Sequence, residues 1–142
     1  MTVAWAVHRL SGVASPANAA YSAEELVYQL KSSGAKCLFT VSLSHLKMIY
    51  DQQLIVKQCI PLLEIALQAA KQCGIPEKHI YILEMPKEFS GNKRVPFKSV
   101  SQLIEEGKNL PKVEELKWEK GQGARQAAYL CYSSGTSGLP VS

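Results

Sequence analysis

The feature of the sequence that most limits the fold is an unbroken apolar segment near the end of the chain. Residues 127–132 read Ala-Ala-Tyr-Leu-Cys-Tyr, without the alternation of polar and apolar residues that a half-exposed strand shows. Continuous apolar runs of this length are typical of strands that are covered on both faces, as in a parallel sheet. We therefore predict a buried strand over 126–132.

The chain before this segment alternates predicted helices and strands. Ser22 and Glu25 have the spacing of a capping box at the start of a helix over 22–33. Gly34 follows at a position where a left-handed cap costs little. Further helices are predicted from near Pro61 to Gly74 and from Val100 to Gly107, with strands over 12–15, 37–41 and 79–83. This order predicts an α/β layered fold with a mainly parallel sheet and flanking helices.

Composition and charge indicate one ordinary globular domain. The chain has 142 residues and a net charge of +4, and its densest basic group, over 87–98, lacks the stacking aromatics of a nucleic-acid surface. We interpret that group as a solvated loop and predict no nucleic-acid partner. No apolar run is long enough to span a bilayer, and the first ten residues lack a signal-peptide core.

The cysteine pattern argues against a metal centre. No two cysteines form a CxxC motif and no histidine lies at ligand spacing from them, so we predict no metal site. We interpret the cysteines as reduced thiols that mostly fill the core of a cytoplasmic protein, while a peroxisomal location stays open for a longer form. They are Cys37, Cys59, Cys73 and Cys131.

A serine- and glycine-rich segment follows the predicted last strand directly. Its glycines permit tight turns, and its hydroxyls and successive backbone N–H groups can form a concave set of donors for phosphate oxygens. Its position after a parallel strand is where ligands bind in open α/β sheets. Composition alone leaves a plain surface connector equally open. The candidate residues are Ser133, Ser134, Gly135, Thr136, Ser137 and Gly138.

Residues 132–140 resemble the phosphate-binding signature of the AMP-binding, adenylate-forming superfamily. Residues 6–10, 15–18 and 21–26 are similar to the N-terminal region of its 4-coumarate–CoA ligase-like branch of fungal type. The resemblance implies a ligase that uses ATP and Mg²⁺ to adenylate a small-molecule carboxylic acid and then transfers the acyl group to coenzyme A. It also implies that residues 133–138 hold the β- and γ-phosphates of ATP, with no catalytic side chain assigned in this chain.

The sequence departs from the family pattern at two places. Residues 41–58 look like an insertion, and Val141 stands where the family has a lysine. Both departures begin with Val-Ser, which the intron-start hexamer GTAAGT encodes, so we hypothesise that intron sequence has been read as protein. The alternative is a natural insertion that forms an amphipathic helix, because Leu43, Leu46 and Ile49 have roughly helical spacing.

The expectation for the whole chain is a partial AMP-binding N-terminal domain over 1–142, cut within the phosphate-binding segment. Motifs that the family places further along the chain are missing, so we expect the isolated chain to be inactive. Two alternatives stay open at this point: a non-catalytic nucleotide-binding α/β fragment, and a truncated gene product without activity.

Overall fold

The structure is a computed structural model that describes residues 1–41, 62–84 and 95–133. Residues 42–58 of the predicted insertion over 41–58 and the predicted start of a helix at Pro61 lie outside these ranges. In chain order, the described elements are α1 (Thr2–Arg9), α2 (Ala23–Ser33), β1 (Leu38–Val41), α3 (Leu62–Gln72), a 3-10 helix (Glu77–His79), β2 (Ile80–Leu83), α4 (Val100–Gly107) and α5 (Gln122–Arg125).

Strands β1 and β2 form a parallel pair, with Leu38 opposite Ile80 and Val41 opposite Leu83. Helix α3 lies between them in sequence, as a parallel connection requires, and it packs against both α2 and β1. The predicted α/β architecture with a parallel sheet and flanking helices is therefore confirmed. Val41, which we assigned to the start of an insertion, is the last residue of β1.

The core lies where α2 and α3 meet the sheet. Leu26 and Leu30 from α2 cluster with Ala69 and Ala70 from α3. Ala69 is fully buried and Ala70 is 1% exposed, because side chains this small let the two helices approach closely. Ile75 and Ile80 close the cluster beside the sheet.

Helix α2 has the predicted ends. The Ser22 hydroxyl accepts from the Glu25 amide at 3.3 Å, and the Ser22 amide donates to Glu25 Oε2 at 2.8 Å. Gly34 adopts the left-handed conformation with φ of 64°. These local hydrogen bonds fix the helix boundaries independently of the rest of the fold.

A second capping box begins α4. The Ser99 amide donates to Gln102 Oε1 at 2.8 Å, while the Ser99 hydroxyl accepts from the Gln102 amide at 3.2 Å. Ser99 also pairs with Ile82 in a parallel bridge. The predicted helix over 100–107 is thus confirmed, and it begins beside β2. His79, which we placed at the opening of a strand, instead ends the 3-10 helix before β2.

The prediction of a strand buried on both faces over 126–132 is wrong in its burial. Ala127, Ala128, Tyr129 and Cys131 are exposed, and the segment makes one isolated bridge, from Tyr129 to Ala14. Within the described residues it has a partner along one edge, and only Gln126, Leu130 and Tyr132 are half-buried. A continuous apolar sequence shows that both faces of a segment could be buried. Burial itself requires other elements that pack against those faces.

The interpretation of the cysteines as mostly core residues is also wrong for those that the structure describes. Cys37 and Cys131 are exposed free thiols, and Cys73 is half-buried. The Cys73 thiol donates to the Val27 carbonyl at 3.7 Å. Cys59 lies outside the described residues. Cys37 directly precedes β1, and Cys131 belongs to the largely exposed segment 127–131.

Candidate functional site

The candidate site begins where the segment 128–133 ends. Ser133, the first predicted phosphate-binding residue, is exposed there. The other predicted site residues, at 134–138, lie outside the described part of the chain. The structure therefore defines how the approach to the candidate site is held, and the assignment of the six residues stays a prediction.

The backbone before Ser133 is paired with the segment that follows α1. The Ala14 amide donates to the Ala128 carbonyl at 2.9 Å, and the Leu130 amide donates to the Ala14 carbonyl at 2.9 Å. These two bonds form the parallel bridge between Ala14 and Tyr129. The sequence predicted strands over 12–15 and 126–132, and in the structure these two segments are joined by one bridge.

Helix α1 supports the same segment through His8. The His8 Nε2 atom lies 2.9 Å from the Ala128 carbonyl oxygen. Since a carbonyl can only accept, Nε2 must carry the proton in this contact. The His8 ring also meets Tyr129 edge to face, with ring centroids 4.8 Å apart. His8 therefore fixes the position of residues 128 and 129 from the side of α1.

Gly12 allows the chain to turn back tightly after α1. A Cβ atom at this position would lie 2.8 Å from Val7 Cγ1 and 3.0 Å from the Val7 carbonyl oxygen. The Gly12 amide donates to that same carbonyl at 2.9 Å. A larger residue would push Ala14 away from its pairing with Leu130.

A buried side-chain relay links α2 to the segment before Ser133. Gln29 Nε2 donates to Ser15 Oγ at 2.8 Å, and Ser15 Oγ donates to the Leu130 carbonyl at 3.0 Å. Gln29 Nε2 also lies 3.2 Å from the Pro16 carbonyl oxygen. Gln29 is 1% exposed. Its Oε1 atom is buried and has no hydrogen-bond partner among the described residues, which typically costs about 1–3 kcal/mol.

Charged groups near the described end of the site are few. Arg9 donates to the Val113 carbonyl at 3.0 Å, which ties α1 to the irregular segment after α4. The ion pairs within the described ranges, Lys98–Glu106 and Lys108–Glu105, join exposed side chains of the α4 region. In residues 1–41, 62–84 and 95–133, no group of three or more His, Cys, Asp or Glu side chains is arranged to hold a metal ion.

The sequence analysis did not identify Gln29, Ser15 and His8 as supporting residues. The sequence offered one signal for Gln29: it lies on the same buried face of α2 as Leu26 and Leu30. A polar residue on an apolar stripe usually has a buried hydrogen-bond partner. No comparable signal marks His8, because its partner Ala128 is 120 positions away in the sequence.

A parallel strand pair crossed by a helix, with a serine- and glycine-rich segment after a further parallel bridge, is the arrangement expected of a nucleotide-using α/β enzyme. The chain belongs to the AMP-binding enzyme family, whose sequence profile matches residues 1–140. The resemblance inferred from the sequence is thereby confirmed.

Several acyl-CoA ligases are similar to this chain. Acyl-CoA ligase cm3C of Cordyceps militaris is 32% identical over 94% of this chain and 19% of its own length. Acyl-CoA ligase easD of Emericella nidulans is 35% identical over 94% of this chain and 21% of its own length. Acyl-CoA ligase AFT1-1 of Alternaria alternata is 33% identical, with 96% and 20% covered. The chain thus spans about a fifth of the length of these relatives.

No solved structure matches the chain. Among the described residues, no helix is long and apolar enough to cross a membrane.

Proposed function

We propose that this chain is the phosphate-binding part of an acid–thiol ligase that makes acyl-CoA from a carboxylic acid, ATP and coenzyme A. One observation carries the proposal: the family match extends through the serine- and glycine-rich segment to residue 140. The similarity to acyl-CoA ligases favours coenzyme A as the acceptor.

In this proposal residues 133–138 bind the β- and γ-phosphates of ATP. Backbone N–H groups at Gly135 and Gly138 approach the phosphate oxygens, and the hydroxyls of Thr136 and Ser137 donate to them. Binding of this kind accelerates the reaction by positioning ATP and by neutralising charge on the departing pyrophosphate. The paired backbone at Ala14 and Leu130 holds the start of the segment.

The proposed reaction has two steps. In the first step the substrate carboxylate attacks the α-phosphorus of ATP and the P–O bond that joins it to the β-phosphate breaks. Pyrophosphate departs, and the product is an acyl-adenylate. The thiolate of coenzyme A then attacks the acyl carbon and AMP departs. Mg²⁺ would enter on the phosphates of ATP, since this ion keeps waters and phosphate ligands in preference to an all-protein cage.

We further propose that the 142 residues alone do not complete this reaction. The relatives are about five times as long, so about four fifths of their length has no counterpart in these 142 residues. We also propose that residues 41–58 are an insertion and that this insertion originated as intron sequence. Sequencing the spliced transcript would test the origin: a transcript that keeps both Val-Ser codon pairs contradicts it.

ATP–pyrophosphate exchange tests the proposed function. The 142-residue chain, and the longest open reading frame that contains it, are assayed with a panel of aromatic and fatty acids. We expect exchange from the longer protein alone, and a loss of at least tenfold in its Thr136→Ala variant. Ser32→Ala, an exposed hydroxyl on α2, is the matched control and should keep full exchange.

Two results would contradict the proposal. Vigorous exchange by the 142-residue chain would refute its inactivity. Absence of exchange by the longer protein with every acid, accompanied by stabilisation on adding ATP, would favour the non-catalytic nucleotide-binding alternative.

A further inference from the structure

Gln29 is a buried polar residue whose hydrogen bonds lead out of its own helix. It lies on α2 between Leu26 and Leu30, the two residues that this helix contributes to the core, and it is 1% exposed. An apolar side chain would pack at such a position without leaving a polar atom unpaired. The amide therefore needs an explanation beyond packing.

The donor and acceptor pattern around Gln29 has one consistent arrangement. The Pro16 carbonyl can only accept, so the atom 3.2 Å from it must be the amide nitrogen. The two hydrogens of that nitrogen go to Pro16 and to Ser15 Oγ at 2.8 Å. The Ser15 hydroxyl is then left to donate its own hydrogen to the Leu130 carbonyl at 3.0 Å. Gln29 thus fixes both the acceptor role and the donor direction of Ser15.

The relay ends three residues before Ser133. Leu130 receives the Ser15 hydrogen bond on its carbonyl and donates its own amide to Ala14. Both polar groups of the Leu130 peptide backbone are therefore held by the 14–15 segment. This clamp and the contacts of His8 with Ala128 and Tyr129 together hold the chain that leads toward Ser133.

We propose that Gln29 is a positioning residue for the chain that leads to Ser133, the first residue of the proposed phosphate-binding segment, acting through Ser15 on the backbone at Leu130. Gln29 itself touches no substrate. The inference rests on the proposed function for the identity of the ligand, whereas the clamp on Leu130 is a property of the protein without ligand. The two claims can therefore fail separately.

Four variants of the full chain separate the relay from general packing. Gln29→Met keeps an unbranched side chain of similar length and removes both amide donors. Ser15→Ala breaks the next link, and Ser15→Thr restores a hydroxyl at the same place. Leu30→Met alters the packing of the same helix without touching the relay, and volume-conserving changes of this kind are well tolerated.

Amide hydrogen exchange measures the clamp without any ligand. We expect the Leu130 amide to exchange about tenfold faster in Gln29→Met and in Ser15→Ala. The double variant should exchange no faster than either single one, because both break the same relay. The Ile75 amide, which is bonded to the Ala70 carbonyl at 2.9 Å in the core, reports on global opening and should change much less.

MgATP affinity, measured by calorimetry on the same variants, tests the link to the ligand. We expect binding about 3- to 10-fold weaker in Gln29→Met and Ser15→Ala, and within twofold of the parent in Ser15→Thr and Leu30→Met. A parent chain that does not bind MgATP contradicts phosphate binding by this chain, and the exchange data then decide the clamp alone. Equal acceleration at Leu130 and Ile75, or unchanged exchange at Leu130, overturns the positioning role.

Discussion

Replacing Ser22 by alanine should destabilise the chain by an amount that follows from its capping box. The Ser22 hydroxyl satisfies the Glu25 amide at 3.3 Å, and the Glu25 carboxylate satisfies the Ser22 amide at 2.8 Å. Alanine removes the first bond and loosens the second. N-cap serine-to-alanine changes cost about 1 kcal/mol, and here the helix also carries Leu26 and Leu30 into the core.

The expected shift in melting temperature follows from the length of the chain. An unfolding entropy of about 2.1 cal/mol/K per residue over 142 residues is about 0.3 kcal/mol/K. A loss of about 1 kcal/mol therefore lowers Tm by about 3 °C, which thermal denaturation followed by far-ultraviolet circular dichroism resolves.

Two further substitutions at Ser22 test whether the cap is the cause. Glycine is a tolerated N-cap that costs only a few tenths of a kcal/mol, and aspartate is as good as serine. We expect the stability order serine and aspartate, then glycine, then alanine. If Ser22→Asp is as unstable as Ser22→Ala, or if Ser22→Ala leaves Tm unchanged, then the capping box does not contribute to global stability and the reasoning fails.

Three other predictions follow from the described contacts. The hydroxyl and amide of Ser101 lower the pKa of Glu84 below its ordinary value. The stability that this carboxylate contributes is therefore present above the ordinary glutamate pKa and is lost as the pH falls through the lowered pKa. In urea titrations across that pH interval, the free energy of unfolding should fall less for Glu84→Gln than for the parent chain. Gly34→Ala should lower the free energy of unfolding by about 1–2 kcal/mol, because φ is 64° there, and no atom within 4 Å would add a clash. Gly107→Ala, at a negative φ, is the control and should be neutral or slightly stabilising in the same urea assay. Ala69→Leu should cost about 1–3 kcal/mol by overpacking a fully buried position, and an unchanged urea midpoint would show that α2 and α3 separate easily.

Local sequence signals predicted the helix ends because the interactions that define them span three or four residues. The box at Ser22 and the left-handed Gly34, both predicted, depend on neighbouring atoms alone; the box at Ser99 has the same local character but was first seen in the structure. The parallel pairing of β1 with β2 followed from two short apolar strands separated by a helix. The family resemblance was readable for the same reason, since its signature is contiguous in the sequence.

Predictions that required knowledge of the surroundings were less successful. The run over 127–132 is apolar throughout, yet Tyr129 and Cys131 are exposed in the described structure. The cysteines were expected to lie mostly in the core, yet Cys37 and Cys131 are exposed. A hydrophobic side chain is more stable when it is buried, but it is buried only where a second element packs against it. The assignment of all six candidate phosphate-binding residues, Ser133 included, stays a sequence prediction.

Local patterns in the sequence predicted α2, α3, α4 and the two paired strands, both ends of α2, and membership of the AMP-binding enzyme family, whereas α1, α5 and the cap of α4 were not predicted. The tertiary structure decided what holds the approach to Ser133: the bond from Ser15 to Leu130 joins residues 115 positions apart, and Gln29 reaches Ser15 across 14 positions. Local propensity acts within a turn or two of the chain. Contacts between residues this far apart depend on how the fold places α2, residues 14–15 and residues 128–130 side by side, so no local pattern encodes them.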